Sequence, residues 1–369
     1  EEDAAKLVHR AGNEQSLVDF NRAGSPLAEI VTEPDLRSPD EAGVMLRELR
    51  LIVRYLGVSD GDMEKGHLRC DANISLRPKD EAVLFPKTEI KNLNSFRAVE
   101  RALAHEIKRQ TALWDAGTPE TVQSTRGWDD ANGVTVLQRT KEDAADYRYF
   151  PEPDIPPLDF TNAYLRSIKT ETAELPAARR VRFSDEYGID QKDLDVLVND
   201  KQLGDFVEAV ISELHAWVRT EGKDWDKERS VLIKQAVNLS INRLAKFLSD
   251  HGQTINSSKV TAENMAEFVT IVSSGAINNQ ATQQVLEIMF TTGQDPSQIV
   301  QERGLAQMRD EGAMTEIVQS VLTAHPDVVA DVKAGKQQAL MFLVGQVMKE
   351  SKGKANPKTV RLLLEQQLQ

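Results

Sequence analysis

Between residues 147 and 160 the chain reads YRYFPEPDIPPLDF, with prolines at 151, 153, 156 and 157. Each proline fixes φ and removes a backbone N–H, so neither a helix interior nor a central strand can run through this segment. The hydrophobic period differs on its two sides. Upstream, some stretches alternate apolar and polar residues and others repeat every third or fourth position. Downstream, past Pro176, the spacing is helical to the end, broken at turn clusters such as DHGQ, TTGQDP and SKGKANP. The expected fold class is α+β: a mixed or antiparallel-sheet domain over residues 1–165, an all-α domain over 166–295 and a small all-α tail over 296–369. The last boundary is placed at the helix start Asp295–Pro296.

In residues 67–77, HLRCDANISLR, Leu68, Cys70, Ala72, Ile74 and Leu76 face one way, and Arg69, Asp71, Asn73, Ser75 and Arg77 face the other. That period of two predicts a strand. PKTEIKNL (86–93) predicts a second, with Lys87, Glu89 and Lys91 on its polar face. ETVQSTRGW and GVTVLQRT predict a hairpin turning through DDANG. A helix is expected over 38–57, capped by Ser38 with Glu41 completing a capping box, and with Met45, Leu49, Ile52, Val53 and Leu56 inward. Another runs from a cap at Asn94 or Ser95 to about Trp114, with Phe96, Val99, Leu103 and Ile107 inward. Residues 16–38, SLVDFNRAGSPLAEIVTEPDLRS, predict short strands interrupted at Gly24–Pro26 and Pro34, unusually rich in ionisable groups.

A chain of 369 residues has room for two or three domains. Its net charge of −13 excludes a protein that coats nucleic acid by bulk electrostatics. From Asp327 onward, however, Lys333, Lys336, Lys349, Lys352, Lys354, Lys358 and Arg361 outweigh Asp327, Asp331, Glu350 and Glu365, giving +3 there and −16 elsewhere. The single cysteine, Cys70, excludes an internal disulfide framework and a Cys-rich zinc site within these residues. The longest apolar run, ALMFLV, is too short to span a bilayer. The opening EEDAAK has no initiator Met and no signal-type stretch, so a chain shortened at its N-terminus, from a cytosolic enzyme, is expected. Phosphate-loop, dinucleotide, H-E-x-x-H and G-x-S-x-G patterns are absent. What remains is a set of carboxylates: Glu1, Glu2, Asp3, Glu29, Asp71, Glu89 and Asp154. Such a set suits Mg²⁺, which takes oxygen ligands. Each also has a plain structural alternative: Glu29 as an exposed strand residue, Asp71 paired with Arg69 or Lys91, Asp154 capping a turn.

Six stretches taken in order carry a resemblance: EEDAAKLVH, SLVDFNRAGSPLAEIVTEPDLRS, GHLRCDANISLRP, TEIKNLNSFRAVERAL, KEDAADYRYFPEPDIPPL and FLVGQVMKESKGKANP. Together they resemble the GatB family, the B component of the tRNA-dependent aspartyl/glutamyl amidotransferases, over essentially the whole chain. Ala5, Lys65 and His67 depart from the usual pattern. The resemblance implies part of a cradle-shaped domain, a helical domain and a tail like the small YqeY proteins. It implies a ligase that forms carbon–nitrogen bonds with glutamine as amido donor, in which ATP phosphorylates the side-chain carboxyl of Glu-tRNA(Gln) or Asp-tRNA(Asn) and channelled ammonia displaces the phosphate. Its implied partners are an amidase component, a small third component and tRNA. On this resemblance Glu1 and Glu29 are the expected Mg²⁺ ligands, and Asp71, Glu89 and Asp154 line the ammonia route. Strand alternation adds Lys91 and Arg69 to that route. Lys349, Lys352, Lys354 and Lys358 are the candidate tRNA contacts. The rival reading is a tRNA-binding scaffold without chemistry of its own.

Overall fold

The computed structural model describes residues 2–9, 16–141, 155–307, 311–333, 336–351 and 353–368. The chain divides into two compact units, Glu1–Glu171 and Thr172–Gln369.

In the first unit β1 (Lys6–His9) and β2 (Ser16–Asp19) form an antiparallel ribbon. Helix α1 (Pro39–Tyr55) precedes a four-stranded sheet ordered β3 (Cys70–Ile74), β4 (Thr88–Leu93), β5 (Gln123–Asp129), β6 (Val134–Lys141). The two outer pairings are antiparallel. The central β4–β5 pairing is parallel, because helix α2 (Phe96–Asp115) carries the chain back between them. Apolar residues of the two helices pack with Ile90, Leu93 and Trp128 on one face of the sheet, and Cys70, Ala72 and Ile74 join that core as their alternation requires. This confirms the α+β class, the strand at 67–77 in shortened form, and the hairpin.

Ser38 caps α1 by accepting the Glu41 N–H, but the Glu41 carboxylate takes the N–H of Arg37 rather than closing the box on Ser38. The buried residues of α1 also differ from the expected stripe: they are Ala42, Gly43, Leu46, Leu51 and Tyr55, while Leu56 is exposed. Gly43 explains part of the difference. A Cβ there would overlap the Glu100 side chain, so α1 approaches α2 on its small-residue face. In α2 the expected Val99 and Leu103 are buried, Phe96 and Ile107 are partly exposed, and two polar residues, Glu106 and Gln110, are buried beside them.

Residues 16–38 are not a run of strands. Beyond β2 there is only an isolated bridge between Glu2 and Pro26, and residues 27–33 have no regular structure. Gly24, Pro26 and Pro34 interrupt the ladder too often for strands to extend, and Val31 stands 80% exposed.

Glu106, fully buried, joins α2 to the sheet. Its carboxylate accepts from Arg109 (2.7 to 3.0 Å), Gln110 (3.2 Å) and the Thr135 hydroxyl, and Arg126 Nε lies 3.3 Å away. Arg109 continues to Glu120 (2.9 Å), whose other oxygen accepts from Thr88 (2.8 Å).

The second unit is helical: α4 (Pro176–Tyr187) to α15 (Pro357–Leu368), following α3 (Asn162–Glu171) at the end of the first. The expected division at 165 falls inside α3. Asp295 and Pro296 are the N-cap and first residue of α11 (Pro296–Glu302), but Ile299 packs into the core of the preceding helices. A helix start is not a domain boundary here; the tail's own core begins at Met314 and closes with Leu343, Val347, Val360 and Leu364. Among the described residues no helix is long and apolar enough to cross a membrane.

Burial by itself would raise the Glu106 carboxyl, but hydrogen bonds from Arg109, Thr135 and Gln110 hold it below its usual range. A depressed carboxyl contributes stability above its unfolded value, about pH 4.3, and loses that contribution as pH falls through the folded value. Glu106→Gln should therefore destabilise the first unit by about 3 kcal/mol in urea at pH 7. The difference from wild type should narrow below about pH 4.

Candidate functional site

The face of the sheet away from the helices carries the charges. Lys91 on β4 reaches Asp71 on β3 (2.9 Å) and its own strand neighbour Glu89 (3.3 Å). The second Glu89 oxygen accepts from the Thr125 hydroxyl on β5 (2.9 Å), and Thr125 accepts from Arg139 Nε on β6 (3.4 Å). A polar strip thus crosses all four strands. The hydrogen bond to Asp71 raises the Lys91 ammonium above its ordinary value, so Lys91 remains a cation and is no general base at neutral pH. Cys70 points to the core, where burial pushes its thiol up to about 11, so it is protonated and a poor nucleophile.

Two irregularities in strand pairing shape this face. Between Cys70 and Ala72 the partner β4 advances from Leu93 to Ile90, an extra residue that places Asn92 in the left-handed region at φ 63°. On β6 the pairing advances from Arg139 to Leu137 while β5 moves from Thr125 to Arg126, leaving Gln138 as the extra residue. Both amide side chains lie over Gly127, where a Cβ would collide with them. Bulges of this kind re-aim side chains. Asn tolerates that backbone and β-branched residues do not. Asn92→Gly should keep the midpoint of thermal unfolding within a few degrees of wild type, whereas Asn92→Val should cost about 2 kcal/mol.

Of the residues singled out from the sequence, Asp71, Glu89 and Lys91 come together in this strip. Arg69 does not join them. It pairs with Asp3 (3.2 Å), which also holds Arg22 (3.0 Å), and this knot ties residues 2–3 to the turn at 22–25. Glu29 is exposed in the irregular stretch and has no ion-pair partner among the described residues. Glu1, Asp154 and Lys352 lie outside the described residues. Among the described residues no three His, Cys, Asp or Glu side chains gather round one point. Asp71 and Glu89 are engaged by Lys91 and Asp3 by two arginines, so none of them is a free hard-oxygen donor. Glu29 is. Glu29 would supply Mg²⁺ with one oxygen ligand, and no group of three such side chains gathers round it among the described residues.

In the tail, Lys349 lies in the last turn of α14 (Gln337–Glu350), and Lys354 and Lys358 flank the start of α15; all three are exposed and without an ion-pair partner among the described residues. Beside them, the Gly353 carbonyl accepts from Asn278 Nδ2 (2.6 Å).

Thr125, Arg139 and the Glu106 network are not legible in the sequence. The hairpin alternation places Thr125 on a strand. Only the parallel pairing of β4 with β5, set by α2, puts it opposite Glu89.

A small mixed sheet backed by two helices, bearing a charge-paired strip, is followed by a helical unit with a basic turn. Residues 1–166 match the family described as GatB/GatE catalytic domain, and residues 225–368 match the one described as GatB domain. The chain is 45% identical to the B component of the aspartyl/glutamyl-tRNA(Asn/Gln) amidotransferase of Roseiflexus sp., over all of this chain and 73% of that protein. Proteins of the same name from Thermomicrobium roseum and Carboxydothermus hydrogenoformans are 46% and 42% identical, over all of this chain and 74% of each. The chain belongs to the GatB family, the B components of the aspartyl/glutamyl-tRNA(Asn/Gln) amidotransferases.

Proposed function

We propose that this chain, together with an amidase component and a small third component, converts Glu-tRNA(Gln) or Asp-tRNA(Asn) to Gln-tRNA(Gln) or Asn-tRNA(Asn) in the cytoplasm. The γ-phosphoryl group of ATP passes to the side-chain carboxyl oxygen, leaving ADP and an acyl phosphate. Ammonia released from glutamine then attacks the acyl carbon, the bond to the phosphate oxygen breaks, and phosphate leaves as the nitrogen gives up a proton.

The observation that carries this reading is the strip Asp71–Lys91–Glu89. Its charges are paired, Lys91 with Asp71 across to β3 and with Glu89 along β4, so it presents donors and acceptors side by side on a sheet surface. Such a surface can hand a small polar molecule from partner to partner without binding it tightly. Glu29, together with Glu1, would hold Mg²⁺, which when bound neutralises phosphate charge during phosphoryl transfer. Asp154 is assigned to the nitrogen route and Arg69 to the support of Asp3.

Tail lysines that have no ion-pair partner among the described residues support binding of the tRNA body through phosphates, a contact that reads no bases and serves both tRNAs.

Two measurements test this. In the reconstituted amidotransferase carrying the full-length chain, Asp71→Ala or Glu89→Ala should lower glutamine-driven amidation about tenfold more than ammonium-driven amidation, with glutaminase activity and ATP consumption retained. Equal losses with both nitrogen donors would assign these residues to folding or to carboxyl activation. The triple variant Lys349→Gln, Lys354→Gln, Lys358→Gln should weaken binding of both aminoacyl-tRNAs and reduce the slope of log affinity against log salt by about 2 to 3. An unchanged slope would leave these lysines as solvated surface.

A further inference from the structure

Three residues far apart in sequence meet at one place on the charged face of the sheet. Asn92, at φ 63°, belongs to one bulge, and Gln138 is the extra residue of the other. Gly127 lies between them on β5, in register with Lys91. A Cβ at Gly127 would overlap Gln138 Nε2 and lie 3.0 Å from Asn92 Nδ2, so both amide nitrogens reach the same spot over the strand. Both side chains are exposed, and neither carboxamide has a hydrogen-bond partner among the described residues. Hydrogen bonding within this unit therefore does not explain why they converge. Bulges and left-handed residues cost stability, and they persist where a side chain must be aimed. The chemistry of the pair limits what it can hold. Each carboxamide nitrogen is a neutral donor. Two donors at one spot match an oxygen, which has two lone pairs, better than an ammonia nitrogen, which has one. Being uncharged, they can hold a carbonyl oxygen, and the oxyanion that forms from it, without being drawn to the carboxylates of Asp71 and Glu89 as a lysine would.

We propose that Asn92 and Gln138 hold the acyl oxygen of the activated aminoacyl group while nitrogen attacks its carbon. This deepens, and rests on, the reading of the neighbouring strip as the nitrogen route. As the nitrogen lone pair forms the new bond, the carbonyl π pair moves onto the acyl oxygen, and the two N–H donors stabilise that charge. When the pair returns, the bond to the phosphate oxygen breaks, phosphate leaves, and a proton passes from nitrogen to water.

The test uses the reconstituted enzyme with the full-length chain. It measures kcat and KM for whichever of Glu-tRNA(Gln) and Asp-tRNA(Asn) the wild type amidates, with each nitrogen donor. Asn92→Gly, which keeps the left-handed backbone, and Gln138→Met, on an exposed side chain, should each lower kcat about tenfold with glutamine and with ammonium alike. KM for the aminoacyl-tRNA should stay within about twofold of wild type, because the bonds strengthen only as charge develops. Gln138→Glu keeps the shape but puts an anion where the donor was, so it should lower kcat further than Gln138→Met. A merely structural role for Gln138 predicts the reverse order, and that result overturns the proposal, as does an unchanged kcat in both Asn92→Gly and Gln138→Met. A loss with glutamine but not with ammonium also overturns it, and puts the amides on the nitrogen route instead. If the wild-type assembly amidates neither aminoacyl-tRNA, the proposed function itself fails, and the inference with it.

Discussion

The first unit depends on one buried carboxylate. Glu106 on α2 is met by Arg109 from its own helix, by Arg126 from β5 and by the Thr135 hydroxyl from β6. A buried ion pair of this kind adds little net stability over an apolar replacement, because removing both partners from water is costly. Its effect is on alignment. A strand slipped by one residue would turn Arg126 to the opposite face and leave Arg109 of its own helix as the counter-charge of Glu106. The native register thus gains a second cation and the Arg126 contacts to Thr135, whereas the mixed apolar and polar pattern of STRGW discriminates weakly.

The charged face of the sheet inherits this register. With Arg126 fixed toward α2, Thr125 and Gly127 must face away from it, opposite Glu89 and Lys91. The same constraint puts a hydroxyl against Glu89 and an open floor beside Lys91, over which Asn92 and Gln138 fold from two bulges. The polar strip is thus a consequence of how the hidden face is locked, and its side chains are held by a sheet rather than by loops.

Local elements are legible in the sequence and their pairings are not. Alternation in HLRCDANISLR places Asp71 outward and Cys70 inward with no knowledge of partners, and Ser38 and Ser95 announce their helices because capping is local. Residues 16–38 mislead. Their apolar pairs resemble strands, yet three breakers leave no continuous ladder, and Glu29 ends on an irregular exposed segment. Arg69 shares the outward period of Asp71, but it lies just before β3 begins and turns to Asp3 instead. Glu106 is invisible for a different reason. A glutamate on an amphipathic helix is ordinarily solvated, and here Arg109 and Gln110 of the same helix together with Thr135 and Arg126 from distant strands make its burial tolerable.

The central claim is that nitrogen travels along the charge-paired strip without mixing with bulk solvent. Isotope dilution tests it most directly: the assembled enzyme is given glutamine labelled with ¹⁵N in its amide, in a bath of unlabelled ammonium, and the label in the product carboxamide is measured. The wild-type product should keep the glutamine label, and Lys91→Met, which breaks both ion pairs, should let the label fall toward the bath composition. Equal label retention in wild type and Lys91→Met would contradict the claim.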